Sequence, residues 1–312
     1  MIRFVLSVAV LTSVLCPPQG AEAQQRRRFG DTGYESRVDT TFAFDKNGSV
    51  NLSVVNGEII VTGWTRSEMR IRAVSDDDNI RLTGSSSRVT LDVAGSRRGG
   101  DARFEVTVPF GVRVNAQSAS GDISVRGTRG PVEVHAQNGD IDVDEVQTRL
   151  DITSLSGDVI ARSIGGDVTV NSVSGEVHLT DVRGGVDVAT VSGDIDLRGV
   201  AAKSVRAKTT SGEVRFEGSI DQTGRYEFNS HSGDIGLRIP RDASAQFTVS
   251  TWSGTIDSQF QILLRPGDEQ SIGVTKSKRY TFEIGGGGAR ITVEAFSGDI
   301  TISSSGRGGV ER

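Results

Sequence analysis

A four-residue step, Ser-Gly-Asp-Ile, returns at a fixed beat and constrains this chain more than any other feature. Ser120-Gly121-Asp122-Ile123 is followed by Asn138-Gly139-Asp140-Ile141, Ser156-Gly157-Asp158-Val159, Ser174-Gly175-Glu176-Val177 and Ser192-Gly193-Asp194-Ile195, each 18 residues after the last. The spacing lengthens to 19 at Ser211 and to 21 at Ser232 and Ser253. The final copy, Ser297-Gly298-Asp299-Ile300, comes 44 residues later, which predicts two turns of about 22 with one signature lost. Periods of this length mark a solenoid, in which each repeat buries its apolar face only against its neighbours.

Set in register, the repeats place apolar residues in columns. Ile123 and Val125 align with Ile141 and Val143, Val159 and Ala161, Val177 and Leu179, and Ile195 and Leu197. A second pair follows nine residues on, from Val132 and Val134 to Val186 and Val188. Alternation with polar residues predicts two short strands per repeat, each with one buried face. A single apolar column lies between them at Val146, Ile164 and Val182, with Thr128 in the first repeat. Nine residues are too few for a helical crossover. The expected fold is therefore all-β: a single-stranded parallel β-solenoid of about 18–22 residues per rung, with wider, irregular rungs at both ends.

The corners account for the glycines. Gly121, Gly139, Gly157, Gly175, Gly193, Gly212, Gly233, Gly254 and Gly298 form one column, where a tight turn calls for positive φ. Gly130, Gly166 and Gly184 mark the opposite corner, with Thr148 as an exception.

Residues 1–23 read as a secretory signal peptide, with Arg3, an apolar run from Phe4 to Leu15, and Ala21-Glu22-Ala23 before the cut. The run is shorter than the ~20 residues of a membrane span. Cys16 is the only cysteine and would be removed with the peptide, and large Leu15 before it argues against lipidation. Thiol catalysis and cysteine-based metal sites are then excluded. Residues 24–37 read as a disordered polar leader, 38–303 as the solenoid with its regular rungs at 120–210, and 304–312 as a disordered tail. Between Asn56-Gly57-Glu58-Ile59 and Ser120, the 64 residues are expected to form about three wider turns. Phe216, Tyr226, Phe228, Phe247, Trp252 and Phe296 are expected to fill a wider core in the later rungs.

The stretch Val54-Val55-Asn56-Gly57-Glu58-Ile59-Ile60-Val61-Thr62-Gly63-Trp64, and Val106-Thr107-Val108-Pro109 leading into Ser120-Gly121-Asp122-Ile123, resembles a bacterial putative-adhesin family. That family is formally a domain of unknown function. The resemblance spans roughly residues 38–303 and implies a parallel β-solenoid and a periplasmic, surface or extracellular location. It carries no catalytic residues onto this chain.

The sharpest candidate site is the acidic column Asp122, Asp140, Asp158, Glu176 and Asp194, continued by Glu213, Asp234 and Asp299, with Thr255 interrupting. At ~4.8 Å between rungs, neighbouring carboxylates repel by roughly 0.9 kcal/mol in water. Corner amides, Ser hydroxyls or calcium ions could offset this; against calcium, the Gly-Gly-x-Gly-x-Asp pattern of calcium-binding β-rolls is absent, and the simpler reading is that Asp caps the turn. No other cofactor is implied. His135, His178 and His231 fall in different repeats and form no catalytic constellation. Carboxylate pairs such as Asp142 with Asp144 or Asp194 with Asp196 are expected to be solvated, without the buried acid that glycoside hydrolysis needs. The net charge of −5 disfavours nucleic acid.

The sequence thus favours a non-enzymatic, adhesin-like scaffold, envelope-associated or secreted, binding a polysaccharide or a protein. A carbohydrate-active β-helix enzyme is the alternative. Trp64 and Trp252 are candidate sugar platforms, with turn or core packing the competing role.

Overall fold

A computed structural model of the chain describes residues 36–76, 79–94, 100–260 and 278–305. The expected signal peptide, nearly all of the leader, and most of the tail lie outside the described residues. Among the described residues there is no helix, and the chain is all-β.

The regular part consists of β7 and its successors, but six strands come first: β1 (Ser36–Ala43), β2 (Ser49–Trp64), β3 (Glu68–Ser75), β4 (Asn79–Gly84), β5 (Arg88–Ala94) and β6 (Asp101–Pro109). Then follow β7 (Arg113–Ser120), β8 (Ile123–Arg126), β9 (Val132–Asn138), β10 (Ile141–Asp144), β11 (Leu150–Ser156), β12 (Val159–Ile164), β13 (Val168–Ser174) and β14 (Val177–Val182). The repeats continue with β15 (Val186–Ser192), β16 (Ile195–Val200), β17 (Ser204–Ser211), β18 (Val214–Gly218), β19 (Arg225–Ser232) and β20 (Ile235–Pro240). The last are β21 (Ala245–Ser253), β22 (Ile256–Ser258), β23 (Lys278–Ile284), β24 (Ala289–Ser297) and β25 (Ile300–Ser305).

From β7 to β20 each rung is a strand, the Ser-Gly-Asp corner and a second strand. Odd strands pair in parallel with odd and even with even, Leu150 opposite Val168 and Ile141 opposite Val159, so equivalent positions stack. The alternating apolar residues face inward as the sequence predicts, with Ile141, Val143, Leu150, Ile152 and the corner residue Val146 at most 1% exposed. Within the stack, backbone hydrogen bonds continue around the corners, for example from the Ile141 amide to the Asp158 carbonyl at 2.9 Å. Stacked apolar columns and the ladder between rungs form one continuous core that runs the length of the stack.

The wider rungs hold an aromatic core. Phe216, Tyr226 and Phe228 are buried and pack edge-on or tilted at 5.1–6.1 Å. The Tyr226 hydroxyl donates to the Ala202 carbonyl at 2.7 Å and accepts the Asp221 amide at 2.8 Å. Burial raises its pKa. Tyr226→Phe leaves both backbone groups without that partner, so we expect a loss of about 1–3 kcal/mol; urea unfolding measures it.

The ends depart from the expected order. Asn56 on β2 pairs directly with Ser120 on β7, so the intervening 63 residues do not lie between those rungs. β5 and β6 stack on the far side of β2. Antiparallel β4 closes β5, and antiparallel β3 then β1 close β6. The other end repeats the arrangement. β24 and β25 stack directly on β19 and β20, and β21 and β22 lie outside them. Antiparallel β23 covers β21. The two extra turns expected before Ser297 are therefore one inserted rung, and the sheet is mostly parallel instead of wholly so. At each end a rung is held between two others in an order different from that of the chain. Residues 285–288, between β23 and β24, form a tight turn in which Gly285, Gly287 and Gly288 take positive φ.

Candidate functional site

The acidic column lies along one corner of the rungs, interrupted by Thr255 in the rung of β21 and β22, and its oxygens have a specific task. Asp122 Oδ1 accepts the Asp140 amide at 2.9 Å, Asp140 Oδ1 the Asp158 amide at 2.9 Å, and Asp158 Oδ1 the Glu176 amide at 2.8 Å. Asp194 serves Glu213 at 2.8 Å, and Asp234 serves Asp299, on the inserted rung, at 2.7 Å. Each of these aspartates thus caps the corner of the next rung. The two glutamates carry one more methylene and turn elsewhere, Glu176 to His178 Nε2 at 3.0 Å and Glu213 to Arg215. Among the described residues, no group of three or more His, Cys, Asp or Glu is placed to hold a metal ion.

Eight of the nine corner glycines take positive φ. Gly254 lies outside the left-handed region, yet a Cβ there would stand 2.1 Å from the Gly298 carbonyl oxygen. Close approach of one rung's backbone to the next is the common requirement. In the opposite column a Cβ on Gly166 would come 2.3 Å from the Thr148 oxygen.

The second-strand face carries ion pairs between rungs. Arg126, Asp144 and Arg162 share a column, but the arginines reach instead to Asp142, at 3.4 and 2.9 Å. Such exposed pairs contribute about 0–1 kcal/mol each. Further along lies a groove of about 670 Å³, whose lining includes Asp196, Arg215, Gly236 and Thr301 from β16, β18, β20 and β25. Gly236 is its floor, since a Cβ there would meet nothing within 4 Å. Asp196, expected to be solvated, is buried at 6% exposure. Arg198 holds both its oxygens, Nε to Oδ1 at 3.0 Å and Nη2 to Oδ2 at 2.6 Å, and His178 Nδ1 stands 3.8 Å away. Arg238 lies 3.7 Å from Glu217. On the first-strand face, burial works to raise Glu227, but hydrogen bonds from Lys208 and Asn229 and the charges of Lys208 and Arg206 outweigh it and hold the carboxyl below its ordinary value.

Across the acidic column from the groove runs a ridge. The residue before each corner serine faces outward, and Leu155, Val173 and Val191 are 52%, 41% and 50% exposed. In the last rungs the same column becomes aromatic. His231 stacks on Phe296 at 4.7 Å and 13°, and Phe296 on Trp252 at 5.9 Å and 10°. Phe296 and Trp252 are 48% and 42% exposed, so these two do not fill the core as expected from the sequence. Trp64 does pack in a turn, its Nε1 donating to the Glu68 carbonyl at 2.6 Å with Arg66 over its ring.

Residues 46–303 match the family described as Toastrack DUF4097. No curated protein matches the chain. Solved structures with similarity include a "putative adhesin" from Bacteroides fragilis NCTC 9343, 11% identical with a TM-score of 0.41, over 85% of this chain and 96% of that one. A "putative adhesin" from Parabacteroides distasonis ATCC 8503 is 10% identical with a TM-score of 0.36, over 88% and 98%. A "putative cell adhesion protein" from Clostridium sporogenes ATCC 15579 is 11% identical with a TM-score of 0.23, over 86% and 100%.

Proposed function

The chain belongs to the Toastrack DUF4097 family, and on that premise we propose that it is an exported, non-enzymatic binding scaffold, a β-solenoid that acts like an adhesin in the envelope or outside the cell. One observation carries the reading: outward side chains repeat in register from rung to rung, Arg126, Asp144, Arg162, Thr180 and Arg198 sharing a single column. A long face of equivalent positions suits a repeating partner, because weak contacts in parallel add up to avidity. Export rests on the leader sequence, with Arg3, the apolar run and Ala21-Glu22-Ala23. No helix among the described residues is long and apolar enough to cross a membrane.

The one buried carboxyl of the groove, Asp196, does not favour glycoside hydrolysis. That chemistry needs a carboxyl free to give a proton to the leaving oxygen, and both oxygens of the buried Asp196 are engaged by Arg198. The scaffold is proposed to work without a cofactor.

The test is residues 24–312 incubated with envelope fractions and extracellular polymers, with calcium and with chelator, reading retention and new sugar ends together. Retention without new reducing or unsaturated ends is the expected result. New ends would show an enzyme, retention lost in chelator would return calcium to the acidic column, and no retention on any fraction would overturn the scaffold reading.

A further inference from the structure

We propose that the corner formed by β16, β18–β21, β24 and β25 is a binding site for a linear polysaccharide that is uncharged or carries amines. The inference rests on the scaffold reading and names its ligand class. Two independent features meet at these rungs. On one side of Glu213, Asp234 and Asp299 is the groove floored by Gly236; on the other is the ladder His231–Phe296–Trp252.

The ladder exists only because of the inserted rung. Its members are 231, 296 and 252 in sequence, and β24 brings Phe296 between the other two. Outward positions elsewhere on these strands are polar or charged, Glu227 and Asn229 on β19 and Thr292 and Glu294 on β24. Half-exposed aromatic rings at three successive rungs are therefore a local departure of the kind that marks an interaction surface. The rings lie face to face, so the ladder offers its edges, which carry partial positive charge and suit oxygen-rich ligands.

The groove supplies the polar half. Five carboxylates (Asp196, Glu213, Glu217, Asp234 and Asp299) face three guanidiniums (Arg198, Arg215 and Arg238). Arg198 and Arg215 are already hydrogen-bonded to groove carboxylates, and Arg238 stands near Glu217. The balance is negative, which repels polyanions such as uronic-acid polymers, nucleic acid or anionic lipid. What remains favourable is a ligand with hydroxyl or ammonium donors for the carboxylates and electron-rich oxygens for the ladder edges. A pyranose chain has both, in its hydroxyls and its ring and bridging oxygens. Asp234 is held in place by the bond from the Asp299 amide, so this acceptor is positioned before the ligand arrives.

The ridge is one side chain wide. A stable protein interface spreads over about 800 Å² of each partner, and a single column of side chains along the rungs is shaped instead for a narrow polymer.

The test uses residues 24–312 with hydroxyethyl cellulose, chito-oligosaccharides and polygalacturonate, by affinity electrophoresis and calorimetry. The first two should bind and polygalacturonate should not. Trp252→Ser with Phe296→Ser should weaken binding about tenfold or more, as should Gly236→Gln, which fills open space and leaves the melting temperature unchanged. Undiminished binding in both variants, or binding of polygalacturonate alone, would overturn the site. Retention on envelope fractions with no saccharide binding would also overturn it while sparing the scaffold reading. Loss of self-association in the ridge variant, with saccharide binding intact, would assign the ladder to a second copy and overturn the proposal.

Discussion

Gly175→Ala should lower the unfolding free energy by about 3–5 kcal/mol, a large share of what a domain has. Gly175 sits at φ +118, and a Cβ there would lie 2.2 Å from the carbonyl oxygen and 2.7 Å from the carbonyl carbon of Gly157. Two costs combine. A left-handed backbone strains any L side chain by about 1–3 kcal/mol. The clash adds to this because its partner is backbone and cannot rotate away. Relief would require moving one rung off the next, and the corner is tied on both sides by the Gly175 amide to the Ser192 carbonyl at 3.2 Å and the Glu176 amide to Asp158 at 2.8 Å. Gly236→Ala is the matched control, since open space surrounds that position, and it should change stability by no more than about 0.5 kcal/mol. Denaturant unfolding of both variants decides the matter; equal, small losses would mean that the corners do not require glycine.

Cysteines at Asn229 and Glu294 should form a disulfide nearly completely under oxidation, whereas cysteines at Asn229 and Ser250 should not. The mature chain expected from the leader has no cysteine, so the background is clean. Asn229 and Glu294 are opposite each other on β19 and β24, and Glu294 is opposite Ser250 on β21. Neighbouring strands are ~4.8 Å apart, within the range a disulfide bridges, and strands two rungs apart are ~9.6 Å apart, beyond it. If rungs stacked in chain order the outcome would be reversed, because β21 would then lie on β19. Non-reducing electrophoresis with peptide mapping separates the two cases.

The contrast between the two predictions marks what the residues disclose. Glycine and apolar columns specify the kind of corner and the inward face, so the rungs from Ile123 to Leu237 could be read directly. They do not specify neighbours. The Ser232, Ser253 and Ser297 corners have nearly the same chemistry, and their spacing does not say which stacks on which; the observed order is Ser232, Ser297, Ser253, with antiparallel β23 on the outer side, where the period is lost.

The exposure of Phe296 was legible and was obscured by composition. Ile291 and Val293 point inward, so period-two alternation sends residue 296 outward, and the same parity applies to Val249 and Trp252. Large aromatic residues in a wide rung suggest core filling only if parity is ignored. Asp196 is the opposite case. Parity puts it outward, and it is, but His178 and Arg215 flank it on the adjacent rungs and Arg198 clasps it, so it is buried under side chains. A burial of that kind depends on rotamers and cannot be read from spacing.

The rung inserted at each end also limits how such a chain can lengthen over evolutionary time. A repeat appended after β25 would have to start from a strand already enclosed between β20 and β22. New repeats can be added without disturbing either closure only between β7 and β20, where rungs follow one another in chain order. Duplications in this family should therefore be found in the middle of the gene, with both closing segments retained at a constant length.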